Sequence, residues 1–236
     1  MLTLHTNTTS EVLNISLHMV SGEYVIKSFH SPDELRLAFS LRHRVFAESL
    51  RWVPIAEDGC EIDAYDMLAV HFGVFDRQKN LLAYVRLLTA DKTFMIEEEF
   101  RCVIGEEYLL RKDRDTCELT RFCVAPAARN HAVTSEYGIF SITALLFKGV
   151  YHYCLNRDIR FIYGVTDRAI YKFLKMKGYP YKMVGKPRRM PDGVLAIAVV
   201  LDWRDFESMN SEIRPKLLDW YTQNSISLHP RAIAMA

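Results

Sequence analysis

No stretch of this 236-residue chain approaches the roughly 18 consecutive apolar residues of a membrane span. Charge of one sign is also missing: 30 Lys and Arg stand against 29 Asp and Glu, a formal net charge of +1. No global attraction therefore draws the chain to nucleic acid or an anionic membrane. The glycine-rich fingerprints GxGxxG and GxxxxGK[ST] are absent, and so are the GxSxG and SxxK nucleophile motifs. The eight histidines include no HxxxH pair, and the five cysteines are odd in number and lack metal-ligand spacing. We expect neither a metal nor a bound cofactor. Residues 1–10 have no basic n-region or apolar h-region, so they do not suit a secretory signal. With Cys117, Cys123 and Cys154 in apolar runs, the natural compartment is the reducing cytoplasm.

What is present is an ordinary globular composition, half apolar and a quarter charged. It suits one domain over 22–210, with a lead-in over 1–21 and a tail over 211–236 holding one short helix. Residues 23–29 read as a strand. Ser31, Pro32 and Glu34 form a helix start with a capping box, and the helix runs to about Leu50. An acidic loop over 53–66 precedes a hairpin of strands 69–75 and 81–89. Short helical turns over 94–104 lead to a strand over 117–124 that Pro126 halts. Residues 134–155 are apolar nearly all round, which suits a central helix packed on a sheet. A strand over 161–165, a helix over 167–177 ending at Gly178, and strands over 181–185 and 194–202 complete the order. The fold expected is a three-layer α/β/α sandwich around a mixed, mostly antiparallel sheet.

Charge in apolar surroundings marks the candidate site. Asp63, Asp66 and Glu118, with Arg42, Arg86 and Arg121, lie in or beside apolar segments. Buried charges must be paired or they cost several kcal/mol each. Three against three reads as one neutralising network, a setting where active sites concentrate. Taken singly, each piece has a plainer account. Arg42 is a surface ion pair beside the aromatics Phe46 and Trp52, and Glu61, Asp63 and Asp66 form a solvated turn. Arg86, within 82–88, is either a functional group or half of a buried pair. His71 and His152 read as packed core or rim residues. Glu118 and Arg121 are three apart, and on a regular strand they face opposite sides. Both serve one cleft only if the strand is bulged.

The ordered set of Arg42, Phe46, Trp52, Glu61, Asp63, Asp66, Arg86, Phe100, Glu118 and Arg121 resembles the acyl-homoserine-lactone synthase (autoinducer synthase) family. The spacings match over about residues 24–126, and the later element order is compatible to about 202. The resemblance implies a GNAT-like acyltransferase fold and a two-part reaction. The amine of S-adenosylmethionine attacks the thioester of an acyl-carrier protein or coenzyme A, and lactone closure then expels methylthioadenosine. Glu118, Arg121 and Asp63 would be catalytic. Arg42, Phe46, Trp52, Asp63, Asp66 and Arg121 would bind S-adenosylmethionine, Arg86 and Glu61 would complete the electrostatic network, and Phe100 and Phe122 would line the acyl pocket. A GNAT-type N-acyltransferase that forms no lactone, and a silent ligand-binding sensor, are the alternatives.

Outside that motif, residues 168–189 hold Arg168, Lys172, Lys175, Lys177, Lys182, Lys186, Arg188 and Arg189 and no acid. In a chain of nearly zero net charge this is a localised basic patch. It is either a solvated face or a dock for an acidic carrier protein, with Lys172, Lys175, Arg188 and Arg189 as the contacts. Coenzyme A phosphates are a further possibility. Neutral total charge and the lack of interleaved exposed aromatics argue against nucleic acid.

Overall fold

In the computed structural model, which describes residues 17–29 and 31–223, the chain enters as a hairpin of β1 (His18–Ser21) and β2 (Tyr24–Ser28). The end of the expected lead-in is thus a strand, while residues 1–16 lie outside the described residues. Ser31 caps α1 (Pro32–Arg42) with the reciprocal capping box to Glu34, and the helix continues as a π-helical turn over His43–Ser49. β3 (Val70–Phe75) and β4 (Leu81–Thr89) form the expected hairpin. The short helices α2 (Met95–Glu98) and α3 (Arg101–Ile104) lead to β5 (Thr116–Val124).

The expected long helix begins later. Residues 132–141 form a second hairpin, β6 (Ala132–Ser135) and β7 (Gly138–Ser141), and α4 is Ile142–Leu155. Gly138, at φ +138°, supplies the turn, and the Ser141 hydroxyl accepts the Ala144 N–H to start the helix. β8 (Phe161–Asp167) runs straight into α5 (Arg168–Met176), capped by Asp167 and terminated at Gly178 with φ +98°. β9 (Lys182–Arg189), β10 (Leu195–Asp202), α6 (Trp203–Ile213) and α7 (Pro215–Thr222) follow. The short helix expected in the tail over 211–236 is α7, and it is part of the main core: Trp220 and Tyr221 are buried there, and Trp220 stacks on Phe140 at 4.0 Å.

Eight strands form one sheet in the order β1-β2-β3-β4-β5-β8-β10-β9, antiparallel throughout except for β5 against β8. Helices α4 to α7 cover one face, and α1 to α3 the other. The three layers expected are present. The parallel pair determines where a ligand can go. β5 and β8 are in register only at Thr116/Phe161, Cys117/Ile162 and Glu118/Tyr163, and past Glu118 the ladder ends. The two strands then diverge and leave a wedge through the sheet.

Candidate active site

The bulge that the motif demands is present. Tyr84 pairs with Cys123 and Arg86 with Thr120, so Arg121 and Phe122 together oppose Val85. Arg121 carries the distortion with φ +55°, a left-handed conformation that is costly for a residue with a Cβ. The bulge lies at Arg121 itself, and Glu118, Thr120, Arg121 and Phe122 all line one cavity.

Behind that wall the guanidinium groups are tied together. Arg42, fully buried, donates Nε–H to Glu61 and Nη1–H to Asp66 at 2.5 Å. Arg86, also fully buried, donates to Asp63 at 2.5 and 2.8 Å, to Asp66 at 2.5 Å, and through Nε to the Thr120 hydroxyl at 2.8 Å. Arg121 donates to Glu61 at 2.9 Å and pairs with Asp63 at 2.8 Å. The acidic loop is therefore not a solvated turn. The Asp66 carboxylate accepts the Asp63 N–H at 2.8 Å, and the Asp63 carboxylate accepts the Tyr65 N–H at 2.9 Å, folding the loop onto its own side chains. Burial alone would raise the Asp63 carboxyl, but Arg86, Arg121 and Arg42 outweigh it and hold it low. Both Arg42 and Arg86 rise against the desolvation that would lower them, because their carboxylate partners favour the cation.

The three-against-three balance holds with one substitution. Its third carboxylate is Glu61, and Glu118 stands apart. Glu118 is buried and accepts the Met95 N–H at 2.6 Å and the Ile96 N–H at 2.9 Å, from the first turn of α2. Burial pushes its carboxyl up to about 8. Those two N–H groups and the more distant Arg86 pull it down, while Glu97 adds to the rise. A carboxyl poised near neutrality inside a cavity is the state a general base or acid needs.

That cavity, about 620 Å³, has a mixed lining. Phe46 and Trp52, stacked with centroids 6.1 Å apart, form one wall. Asp63, Glu99, Glu118, Asp167 and Asp192 present carboxylates, against which stands Arg121, already committed to Glu61 and Asp63. Such a lining favours a cationic ligand. Through the wedge the cavity continues among Phe122, Phe147, Ile170, Leu174, Tyr181 and Val199 on the α4 and α5 face, an apolar compartment. Phe100 lines the opposite face with Met95 and Tyr163.

Of the expected substrate contacts, Phe46, Trp52, Asp63 and Arg121 reach the cavity. Arg42 and Asp66 do not. They are buried behind Glu61 and Asp63 and can act only by holding those groups in place. The basic run is also split: Lys172 and Lys175 lie exposed on α5, while Arg188 donates to the Cys102 carbonyl in α3, across the sheet, and Arg189 donates to the Gly193 carbonyl. These residues wrap the β9 edge and do not share one face. Sequence inspection passed over Met95, whose N–H holds Glu118 and whose Sδ meets Arg86 at 3.0 Å, along with Tyr163. A capping pattern over 94–97, where Glu97 accepts the Phe94 N–H, was the signal for that turn. Among the described residues no cluster of His, Cys, Asp and Glu is arranged for a metal, and no helix is long and apolar enough to cross a membrane.

Comparison with known proteins places this geometry. The profile of the autoinducer synthase family matches residues 27–210. An acyl-homoserine-lactone synthase of Aliivibrio fischeri is 30% identical over 155 residues, spanning 65% of this chain and 77% of the relative. One from Vibrio anguillarum is 27% identical over 146 residues, 61% and 73% of the two chains. Among solved structures, TofI in a ternary complex with an inhibitor and MTA superposes with a TM-score of 0.65 at 19% identity, covering 84% of this chain and 96% of TofI. The CoA-dependent acyl-homoserine lactone synthase BjaI, with SAM and isopentyl-CoA, gives 0.64 at 21% identity, covering 88% and 87%. A putative N-acetyltransferase from Lactobacillus plantarum gives 0.51 at 16% identity, 76% and 97%, a likeness of fold. With its motif residues lining one cavity or tied into the ion-pair network behind it, and the family profile matched over most of its length, the chain belongs to the autoinducer synthase family of acyltransferases.

Proposed function

We propose that this acyl-homoserine-lactone synthase acylates the amine of S-adenosylmethionine and then closes the lactone. The observation that carries the proposal is one cavity with two chemistries. A carboxylate-rich, aromatic-walled end suits a sulfonium and an ammonium, and an apolar end reached through the β5/β8 wedge suits an acyl chain. Glu118 sits where the two meet.

The steps then balance as follows. Ionised Glu118 takes a proton from the substrate ammonium, directly or through a water. The freed amine attacks the thioester carbonyl, and backbone N–H groups of β5, released from pairing with β8 past Glu118, receive the developing oxyanion. Collapse breaks the C–S bond, and the donor leaves as a thiol with the proton lost by the nitrogen. The methionyl carboxylate, steered by Arg121, next attacks the γ-carbon. The C–S⁺ bond breaks and neutral methylthioadenosine departs. The donor is an acyl-carrier protein or coenzyme A thioester, and exposed Lys172 and Lys175 on α5 suit an acidic carrier.

The purified chain, incubated with S-adenosylmethionine and a series of acyl donors, should release methylthioadenosine and an acyl-homoserine lactone in equal amounts by mass spectrometry. An acylated amine without methylthioadenosine would instead make the chain an N-acyltransferase. Binding without turnover of any donor would make it a sensor.

A further inference from the structure

Behind the ion-pair network lies a second layer that the proposed chemistry does not use. His71, on β3, is buried between Arg86, its register partner on β4, and the rings of Phe29 and Phe39. Its Nε2 is 2.9 Å from the Asp66 backbone carbonyl, and its Nδ1 is 2.6 Å from the Tyr84 hydroxyl. A carbonyl oxygen can only accept, so Nε2 carries a hydrogen. In the neutral ring Nδ1 is then a lone pair and accepts the Tyr84 O–H. The Arg42 guanidinium lies 5.8 Å from the centre of the Tyr84 ring.

The donors therefore run in one direction: Tyr84 to His71, and His71 to the Asp66 carbonyl. Arg42 packs on the Tyr84 ring at one end of this chain and donates to the Asp66 carboxylate at the other, at 2.5 and 3.1 Å. We propose that His71 and Tyr84 are positioning residues, which hold the Arg42 plane and the Asp66 peptide and through them Asp63, Glu61 and Arg121 at the cavity wall, and that they do so only while His71 is neutral.

The polarity of the chain enforces the last condition. An imidazolium must donate from both nitrogens. The Tyr84 oxygen would then accept from His71, and the Tyr84 hydroxyl would lose the buried acceptor it now uses. The new cation would also stand beside Arg42 and Arg86. The charged and titratable groups facing the ring are Arg42 from α1, Tyr84 and Arg86 from β4, and Asp66 from the acidic loop. Burial, then the two arginines, hold the imidazole below its ordinary value of 6.5, against the opposing pull of Asp66. A depressed histidine contributes its stabilising order above its ordinary value and loses it as pH falls from 6.5 toward the folded value.

The test compares wild type with His71→Gln, His71→Leu and Tyr84→Phe. Gln offers an N–H and an acceptor but cannot take a proton. The inference builds on the site and not on its substrate, so the first readout is independent of turnover. Nitrogen NMR of the imidazole should show a protonated Nε2 and a bare Nδ1 at pH 7.5, titrating below 6.5. An Nδ1–H tautomer, or titration at the ordinary value, overturns the inference. The second readout is kcat/KM for S-adenosylmethionine from pH 5 to 9. With both Glu118 and His71 needed unprotonated, the logarithm should fall with a slope that steepens from one to two below pH 6.5. His71→Gln should keep activity within a few-fold at pH 8 and lose the steepening. His71→Leu and Tyr84→Phe should lower kcat/KM about 10-fold or more, as displaced site groups do. Identical pH profiles for wild type and His71→Gln would also overturn it. If no donor is turned over, the functional proposal fails, while the tautomer measurement still decides this one.

Discussion

Replacing Glu118 by Gln separates what this carboxyl does for the reaction from what it costs the fold. Its ordinary value is 4.5, and in the folded chain it stands near 8. A carboxyl raised in this way leaves the native state fully stable below 4.5 and withdraws stability as pH rises, because the unfolded chain ionises first. Three to four pH units at about 1.4 kcal/mol each give a penalty of about 5 kcal/mol, complete above pH 8. Gln copies the protonated side chain and cannot ionise. Its single oxygen still meets one of the two N–H groups of Met95 and Ile96, so any loss there is a fixed offset. The stability of Glu118→Gln relative to wild type should therefore climb by about 5 kcal/mol between pH 4.5 and pH 8. Urea unfolding at half-unit pH steps reads this as a diverging pair of midpoints. Activity should move the opposite way, falling on the order of 10²- to 10⁴-fold with the base removed. Wild-type kcat/KM should rise with pH through about 8, as the free base forms. Stability curves that stay parallel across this range would refute the raised carboxyl. Turnover near wild type in a folded mutant would leave Glu118 as a cap on α2 and nothing more.

Arg86→Ala should destabilise the fold by about 3–5 kcal/mol, since it takes a buried guanidinium from Asp66 behind the cavity and from Asp63 on its wall; a denaturation midpoint within error of wild type would show the pair to be dispensable. Lys172→Glu with Lys175→Glu should raise the Michaelis constant for an acyl-carrier protein chiefly at low salt, because exposed charges steer encounter and are screened. An equal effect on acyl-coenzyme A would mark a phosphate contact instead. Trp220→Ala should cost about 3–5 kcal/mol, because the indole is fully buried against Phe140; a negligible change in thermal unfolding would place α7 at the periphery.

The parts of the site that were legible in sequence are those where chemistry contradicts its surroundings. Arg86 within an apolar run could only be paired or functional, and it is buried and paired with Asp63 and Asp66. Glu118 and Arg121, three apart on a strand, required a bulge, and the chain provides one at Arg121. Sequence could not say which carboxylate answers which arginine. Glu61 replaces Glu118 in the network because Glu118 is drawn off by N–H groups of a four-residue helix, and backbone donors leave no mark in a sequence. The β6–β7 hairpin was hidden because Val133, Ile139 and Phe140 continue the apolar composition of α4, with Gly138 the one local sign of a turn. The burial of helix α7 was hidden for another reason. Its partners Phe140 and Tyr179 are distant in sequence, so its burial is a tertiary fact.

Burying Arg42 and Arg86 with three carboxylates is a poor way to stabilise a domain, since apolar residues of similar volume commonly do as well or better. The location of the network accounts for it. Arg42, Arg86, Glu61 and Asp66 are screened from the cavity, while Asp63 and Arg121, their outermost members, form its wall. Every degree of freedom of those two exposed groups is fixed from behind: Asp63 by Arg86 and by the Tyr65 N–H, Arg121 by Glu61 and by its own left-handed backbone. Two opposite charges held this way keep an orientation that is set before any ligand arrives, as the proposed reaction requires. Glu118 is exempt from the network for a matching reason. A carboxylate locked to a guanidinium would be pulled far below neutrality and could take no proton from an ammonium. Held only by two N–H groups and buried, it remains free to cycle. In the proposed mechanism, the separation of Glu118 from the other carboxylates divides a positioning device from a reacting group within a single wall.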